Sequence, residues 1–414
     1  MLDIQFIRDN RELVQLKAKQ KGYDVDIDQL LGFDVRRREL LTEVEDIRKR
    51  RNAISDSMKG AKPTDELIAQ GKLLKEELAE KEPKFTAVDR EFLALLNAIP
   101  NITADDVPVG GEEDSVEIKK VGDQKTGARD HLDIAVAKGW VDFERGAKVA
   151  GTKFYFLQGD LARLENAITQ FALEFILKKD FQLLTVPHMV NTRTASGTGF
   201  APRSSDQSDE YFIEGEDLSL IATAEMPLTG YHADEILEGK DLPLLYAGLS
   251  PCYRKEAGTY GKHNRGLFRV HQFNKLEMYA FALPENSQAM HEQILAIEEE
   301  VWQAIGIPYH VINIASGDLG APAHKKYDIE YWSPVDEKYR ELTSCSNCTD
   351  YQARNLNIRI RRSNGDIVTA HTLNGTVVSL ARSLVAIIEN YQTNEGDVIV
   401  PEVLRPFMGG KEKI

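Results

Sequence analysis

The chain has 414 residues, a hydrophobic fraction of 42%, a charged fraction of 28% and a net charge of −15, which fits a globular protein of two or three domains. So acidic a chain is not an indiscriminate polyanion binder, although a local basic patch stays open because fields decay over a Debye length of about 8–10 Å. Three cysteines make no disulfide framework and point to a reducing compartment; MLDIQFIRDN has no apolar signal core and no apolar run is long enough to span a bilayer, so the expectation is a cytoplasmic protein with no membrane association.

Residues 1–35 read as short helical pieces, with Asn10 and Asp34 as candidate N-caps. From 37 to 59, Leu40, Val44, Ile47, Ile54 and Met58 recur in four- and three-residue steps, with Arg51 in one slot. A turn over 59–63 leads to Thr64, Asp65 and Glu66, a suitable helix start, and the pattern resumes at Leu67, Leu74, Leu78, Phe85, Val88, Phe92 and Leu95. This 3.5-residue spacing predicts an antiparallel coiled-coil hairpin over about 37–97, an arm roughly 33–48 Å long projecting from the body. Gly71 and Lys81 occupy seam positions and Pro83 removes a helical hydrogen bond, so a kink or weak spot is expected there. Arg48, Lys49, Arg50 and Arg51 lie along the ascending arm; pairs Glu45–Lys49 and Asp46–Arg50 at i,i+4 make a salt-bridged solvated face the simple reading of that cluster.

A polar linker with Pro and Gly covers 101–125, and the body runs from 126 to 414. Strands are expected at 153–158, 182–187, 218–222, 243–256, 266–282, 308–314, 326–333, 338–346 and 367–373, and helices at 161–179, 285–305 and 376–393. Long hairpin-like strands with few helices predict an α+β fold, an antiparallel β-sheet core flanked by helices, with the N-terminal helical coiled-coil arm as a separate part.

The segment from Tyr253, YRKEAGTYGKHNRGLFRVHQFNKLEM, carries the most chemistry. Arg254 and Glu256 precede a Gly-rich turn from Gly258 to Gly266, and an extended run then places residues 269, 271, 273, 275 and 277 on one face. That face offers cations, the Phe273 ring and the Glu277 carboxylate, a set suited to a nucleotide beside a small amino compound. An exposed hairpin with interleaved charges is the alternative from this segment alone. No P-loop, dinucleotide fingerprint, HExxH or nucleophile elbow is present. Cys345 and Cys348 form a lone CSNC without a second ligand pair, so structural zinc is not expected.

In combination these motifs resemble the seryl-tRNA synthetases, class II aminoacyl-tRNA synthetases of bacterial type, along the whole chain. LLTVPHMVNTRTASGTG (183–199) resembles the first class II motif, which implies a homodimer interface around Pro187. YRKEAG and FRVHQFNKLEM resemble the second. The resemblance implies Arg254 on the ATP α-phosphate, Arg269 and Lys255 at the ATP, Glu256 on adenine and Phe273 stacked on it. Thr223, Ala224 and Glu225 resemble the serine-binding tripeptide, with Glu225 facing the α-ammonium and Glu277 accepting from the substrate hydroxyl. Such an acceptor rejects alanine, whereas threonine has to be excluded by fit. ELTSCSNC matches the ATP and Mg²⁺ segment: Glu341, Leu342, Thr343 and Ser344 at ATP, with Glu341 and Ser344 as metal ligands. NGTVVSLARSLVAIIENYQ resembles the third motif; Asn374-Gly375-Thr376 is read as opening a helix, Asn374 and Thr376 as serine contacts, and Arg382 in the second turn as reaching the γ-phosphate. Thr376 stands where many relatives carry Ser, which keeps the hydroxyl, and VVSLAR is poorer in glycine than usual.

The implied activity is a ligase reaction with Mg²⁺ as cofactor and Arg254, Arg382 and Glu341 as the catalytic set. It joins L-serine to ATP and passes the seryl group to tRNA(Ser), with tRNA(Sec) as a further candidate. The arm (1–100) would bind that tRNA through Arg48, Lys49, Arg50 and Arg51. A class II relative that charges a carrier protein lacks such an arm, and a non-catalytic tRNA-binding paralogue would have lost one of Arg254, Glu256, Glu341 or Arg382. A coiled-coil scaffold leaves the arginine motifs unexplained.

Overall fold

Two units divide the chain, Met1–Pro100 and Asn101–Ile414, in a computed structural model that describes residues 1–59, 64–199, 209–256 and 266–414. Most of the turn expected over 59–63 and of the Gly-rich turn expected over 258–266 lies outside the described residues.

In the first unit two short helices, Ile4–Asp9 and Arg11–Gln20, precede two long ones, Ile27–Ser57 and Asp65–Ala98. At 1.5 Å per residue their 31 and 34 residues extend about 46 and 51 Å. Val44, Ile47, Leu74 and Leu78 are buried between them, with Ile54 and Phe85 packed alongside. The ion pairs Arg37–Asp89 and Arg48–Glu82 run in opposite chain directions, as in an antiparallel pair, and Glu43–Lys81 also joins the two helices. The ascending helix begins ten residues before the expected position because Asp26 caps it by accepting from the Gln29 N–H. Asp34 is therefore no N-cap: it is buried within that helix and binds Arg8 through two bonds of 2.8 Å. Asn10 does precede a helix but makes no side-chain N-cap bond to it; its backbone N–H and its side-chain amide instead close the end of Ile4–Asp9 on the Phe6 carbonyl. The descending helix runs unbroken through Gly71, Lys81 and Pro83. Of the expected charge pairs only Asp46–Arg50 is present, at 3.5 Å; among the described residues Lys49 has no ion pair, and Arg48 reaches across to Glu82 instead.

The second unit is built on an eight-stranded sheet. Its spatial order is Val116–Val121, Tyr309–Asn313, Lys325–Ser333, Lys338–Thr349, His371–Ser379, Gln272–Ala282, Leu244–Tyr253 and Gln182–Leu184. Every neighbouring pair is antiparallel except the last, which is parallel. The helices Gly159–Leu177, Ser287–Ile305 and Leu380–Tyr391 carry apolar residues at helical spacing and bury Ile168, Ile294 and Ile387 against Leu276, Met278, Ile329 and Leu373 of the sheet. Each such buried side chain contributes roughly 1.5–3 kcal/mol relative to exposure. Residues 101–125 are not a plain linker, because Val116–Val121 pairs with Tyr309–Asn313 as the sheet's edge strand.

The largest revision concerns 374–376. These residues do not open a helix; they belong to the strand His371–Ser379, and the helix begins at Leu380. The β-branched run Thr376-Val377-Val378 favours the pleated surface, and pairing with Gln272–Ala282 holds it there. Arg382 consequently lies in the first helical turn, not the second. The extended run expected from 266 is strand only from Gln272, so Arg269 and His271 precede it.

Candidate active site

One cavity in the second unit is lined by Arg254, Glu256, Phe268, Phe273, Lys275, Glu341, Ser344, Thr376, Ser379 and Arg382 among others. Strand geometry explains the convergence. Phe273, Lys275 and Glu277 alternate on one face of Gln272–Ala282. Glu341 and Ser344 are three positions apart and would face opposite ways in a regular strand. A bulge opposite Ile329 and Glu330 leaves Leu342 as the extra residue and turns both toward the cavity. A second bulge at Val377 does the same for Thr376 and Ser379. Leu342 is thereby sent into the hydrophobic core, and the Thr343 hydroxyl faces Trp302, whose Nε1–H it accepts at 3.3 Å. Both residues nonetheless line the cavity between Glu341 and Ser344.

Charge within the cavity is arranged in pairs. Arg382 Nη1 lies 2.8 Å from Glu341 Oε1. Burial alone would raise the Glu341 carboxyl, but Arg382, Lys326 and Arg254 outweigh it and hold the group well below the usual carboxylate range. Glu341 is therefore ionised, and with the Ser344 hydroxyl on the same face it forms an oxygen set suited to a hard divalent cation. Arg254 donates from Nε to the Ala222 carbonyl at 3.2 Å and stands 5.3 Å over the Phe273 ring. Phe268, which no sequence motif singled out for a role, has the Arg382 and Arg340 guanidinium carbons 5.0 and 5.1 Å from its ring centre.

Behind the cavity lies a hydrogen-bonded carboxylate layer. Lys275 ion-pairs with Glu277, and Glu277 Oε2 accepts from the Thr223 hydroxyl at 3.3 Å. Thr376 lies opposite Glu277 in the ladder. Glu225 Oε1 accepts from Asn374 Nδ2 at 2.9 Å. Burial pushes Glu225 up to about 7, with Glu277 adding to the effect, and burial raises Glu277 against the opposing pull of Lys275. Ala224 is fully buried, so its contribution is to pack the tripeptide in place. Glu225, Glu277 and Asn374 are not among the cavity's lining residues; Lys275 and Thr376 link them to it.

Two expected ATP residues stand apart. Lys255, just past the end of the strand Leu244–Tyr253, is exposed; its N–H donates to the Asp209 carbonyl at 2.9 Å and its ammonium lies 5.7 Å from the Tyr211 and Phe212 rings. Arg269 lines an adjoining cavity with Arg340, Asp328 and Glu330, and its Nη1 binds Glu256 Oε2 at 2.8 Å. Glu256 holds a left-handed φ of 50° at that point. Cys345 and Cys348 are buried and form no disulfide, and among the described residues no group of three His, Cys, Asp or Glu could hold a metal.

Sequence reasoning missed Gln352 and Glu298, both fully buried. Glu298 Oε1 accepts the Thr376 N–H at 2.8 Å. Its sequence signal was a carboxylate at a core-facing helical step, in register with Ile294, Val301 and Ile305.

Residues 210–391 match the class II core domain of the tRNA synthetases for G, H, P, S and T, the class that an antiparallel sheet with paired arginine motifs defines. Residues 1–103 match the seryl-tRNA synthetase N-terminal domain. Serine--tRNA ligase of Dictyoglomus turgidum is 44% identical over 100% of this chain and 99% of its own length. The crystal structure of seryl-tRNA synthetase from Pyrococcus horikoshii complexed with ATP is 40% identical with a TM-score of 0.89, covering 100% of this chain and 99% of that one. The cytoplasmic serine-tRNA ligase of Naegleria fowleri in complex with AMP is 33% identical with a TM-score of 0.85, covering 100% and 98%. The chain belongs to the seryl-tRNA synthetase family. Among the described residues no helix is long and apolar enough to cross a membrane.

Proposed function

We propose that the chain activates L-serine with ATP to seryl-adenylate and pyrophosphate, then transfers the seryl group to the 3′-terminal adenosine of tRNA(Ser). The observation that carries this reading is the single cavity holding Arg254, Phe273, Glu341 and Arg382, joined through Lys275 and Thr376 to the Glu225–Glu277–Asn374 layer.

The serine carboxylate attacks the α-phosphorus in line, and no side chain has to serve as nucleophile. Positioning and charge neutralisation carry the barrier reduction. Arg254 holds the α-phosphate, Phe273 stacks on adenine with Glu256 at its edge, and Arg382 leaves Glu341 to take the γ-phosphate. Glu341 and Ser344 would hold a Mg²⁺, which would further neutralise phosphate charge. Glu225 takes the serine ammonium with Asn374 and Thr376 alongside, while Glu277 accepts from the hydroxyl. Serine-dependent ATP–pyrophosphate exchange compared across serine, threonine and alanine tests this assignment. Serine should exceed alanine by at least ~10³-fold, since alanine leaves the acceptor unpaired; equal exchange with alanine contradicts it.

The N-terminal unit binds tRNA on this reading. Lys49 and Arg51, without ion pairs among the described residues, are supported as phosphate contacts together with Arg48 and Arg50, and tRNA(Sec) is a second candidate acceptor. Homodimer formation around Pro187 belongs to the same proposal; exposure of Leu177, Leu183 and Met189 at 49%, 41% and 45% supports it. The cytoplasm is the compartment that fits three cysteines without a disulfide.

A further inference from the structure

Gln352 sits in the short helix Tyr351–Asn355, fully buried, and takes no part in the reaction as derived above. Its carboxamide uses all of its hydrogen-bonding capacity. Oε1 accepts from the Tyr279 hydroxyl at 2.9 Å and from the Thr372 hydroxyl at 2.7 Å. Nε2 donates to the Thr198 carbonyl at 3.0 Å and to Glu225 Oε1 at 2.7 Å. Carbonyl and carboxylate oxygens only accept, so the amide has to turn its nitrogen toward Thr198 and Glu225. Asn374 Nδ2 reaches the same Glu225 Oε1 at 2.9 Å. One carboxylate oxygen thus takes two N–H donors, and among the described residues no donor reaches the other, Oε2.

We propose that Gln352 is a positioning residue for amino-acid recognition: it and Asn374 pin one oxygen of Glu225 so that the other is presented to the substrate α-ammonium. This rests on the reading of Glu225 as the ammonium acceptor. Four elements meet at the amide, since Thr198 ends the helix Thr192–Thr198, Tyr279 and Thr372 lie on neighbouring strands, and Glu225 opens the helix Glu225–Gly230. A rotation of the Glu225 carboxylate therefore gives up the bonds from Gln352 and Asn374, and the Gln352 amide cannot follow it without breaking its bonds to Thr198, Tyr279 and Thr372.

The arrangement also sets the charge of Glu225. Glu277 faces it as a like charge, Lys275 and Arg254 as opposite charges; Tyr279 and, beside Asn374, Cys348 complete its surroundings. Burial and Glu277 raise the carboxyl, and the Gln352 N–H favours its ionised form. Only that form attracts an ammonium. Without Gln352 the carboxyl titrates higher, and serine activation is lost at a higher pH on the acid side.

Gln352→Met removes the amide at similar size, and Gln352→Asn retracts it by one methylene. Exchange kinetics are read against serine, against ATP and against pH, with thermal melting to confirm folding. The expected result in whichever variant melts cooperatively is a serine KM raised roughly tenfold or more, an unchanged ATP KM, and an acidic limb of kcat/KM for serine displaced to higher pH. The proposal is overturned if serine KM and the acidic limb match the parent, or if serine and ATP KM rise together with the limb in place. Glu225→Gln with a parental serine KM would instead overturn the ammonium reading beneath it.

Discussion

Arg382 and Glu341 form an ion pair at 2.8 Å, so on the proposed reading a phosphate taken by Arg382 replaces Glu341 as its partner. Arg382→Ala should raise the ATP KM and lower exchange by roughly 10²–10³-fold. Arg382→Lys should recover little, because an ammonium cannot reproduce a planar two-pronged contact; exchange measured against ATP concentration decides both. Glu341 and Ser344 were legible as a pair from ELTSCSNC, yet their three-residue spacing gave no physical reason for a shared face. The reason is the bulge at Leu342, which depends on pairing with a strand distant in sequence. Lys255 is next to Arg254 in the motif, but only the fold shows that it is not among the cavity's lining residues and lies over Tyr211 and Phe212. Gln352 was invisible because its function lies in four partners 20 to 154 residues away.

At the scale of elements, the strand His371–Ser379 and the helix Ser287–Ile305 behave as one wall. A Cβ on Gly375 would meet Ile294 Cγ2 at 2.3 Å, Glu298 Oε1 at 2.9 Å and Cys345 Cβ at 3.2 Å. Gly375→Ala should therefore cost about 1–3 kcal/mol in denaturant unfolding and raise the serine KM by displacing Asn374 and Thr376. Glu298 is buried without a cation, its Oε2 has no hydrogen-bond partner among the described residues, and burial holds its carboxyl well above the ordinary value. A group raised in the folded state favours folding fully at pH below its unfolded value near 4.5 and loses that contribution as pH climbs toward its folded value. Glu298→Gln does not titrate, so it should gain stability on the parent between about pH 5 and pH 8, by at most about 1.4 kcal/mol per pH unit. Urea unfolding at both ends of that range checks the sign; a gap that stays constant or reverses contradicts the assignment. The helix Leu380–Tyr391 was readable from Leu380, Leu384, Ile387 and Ile388, whereas its start was set too early because a helical period continues smoothly into the β-branched residues before it. Helices such as His131–Ala137 and Thr192–Thr198 are too short to carry a period at all.

Across the whole molecule the two units divide the labour on the proposed reading: Asn101–Ile414 forms the adenylate and Met1–Pro100 selects the tRNA. Removing about residues 40–90 should leave serine-dependent exchange intact and abolish tRNA charging, and charging by the intact chain should fall steeply with added salt. Equal loss of both activities would contradict the division. The coiled-coil period made the arm readable because its core is local to two helices. The sheet's strands were mostly found, but their order could not be, since Gln272–Ala282 lies beside His371–Ser379 across some ninety residues of chain.

The most direct measurement is ATP–pyrophosphate exchange by Arg254→Ala with saturating serine. The account predicts that exchange falls to background while the melting curve stays cooperative; exchange near the parental rate would mean that the α-phosphate is held elsewhere.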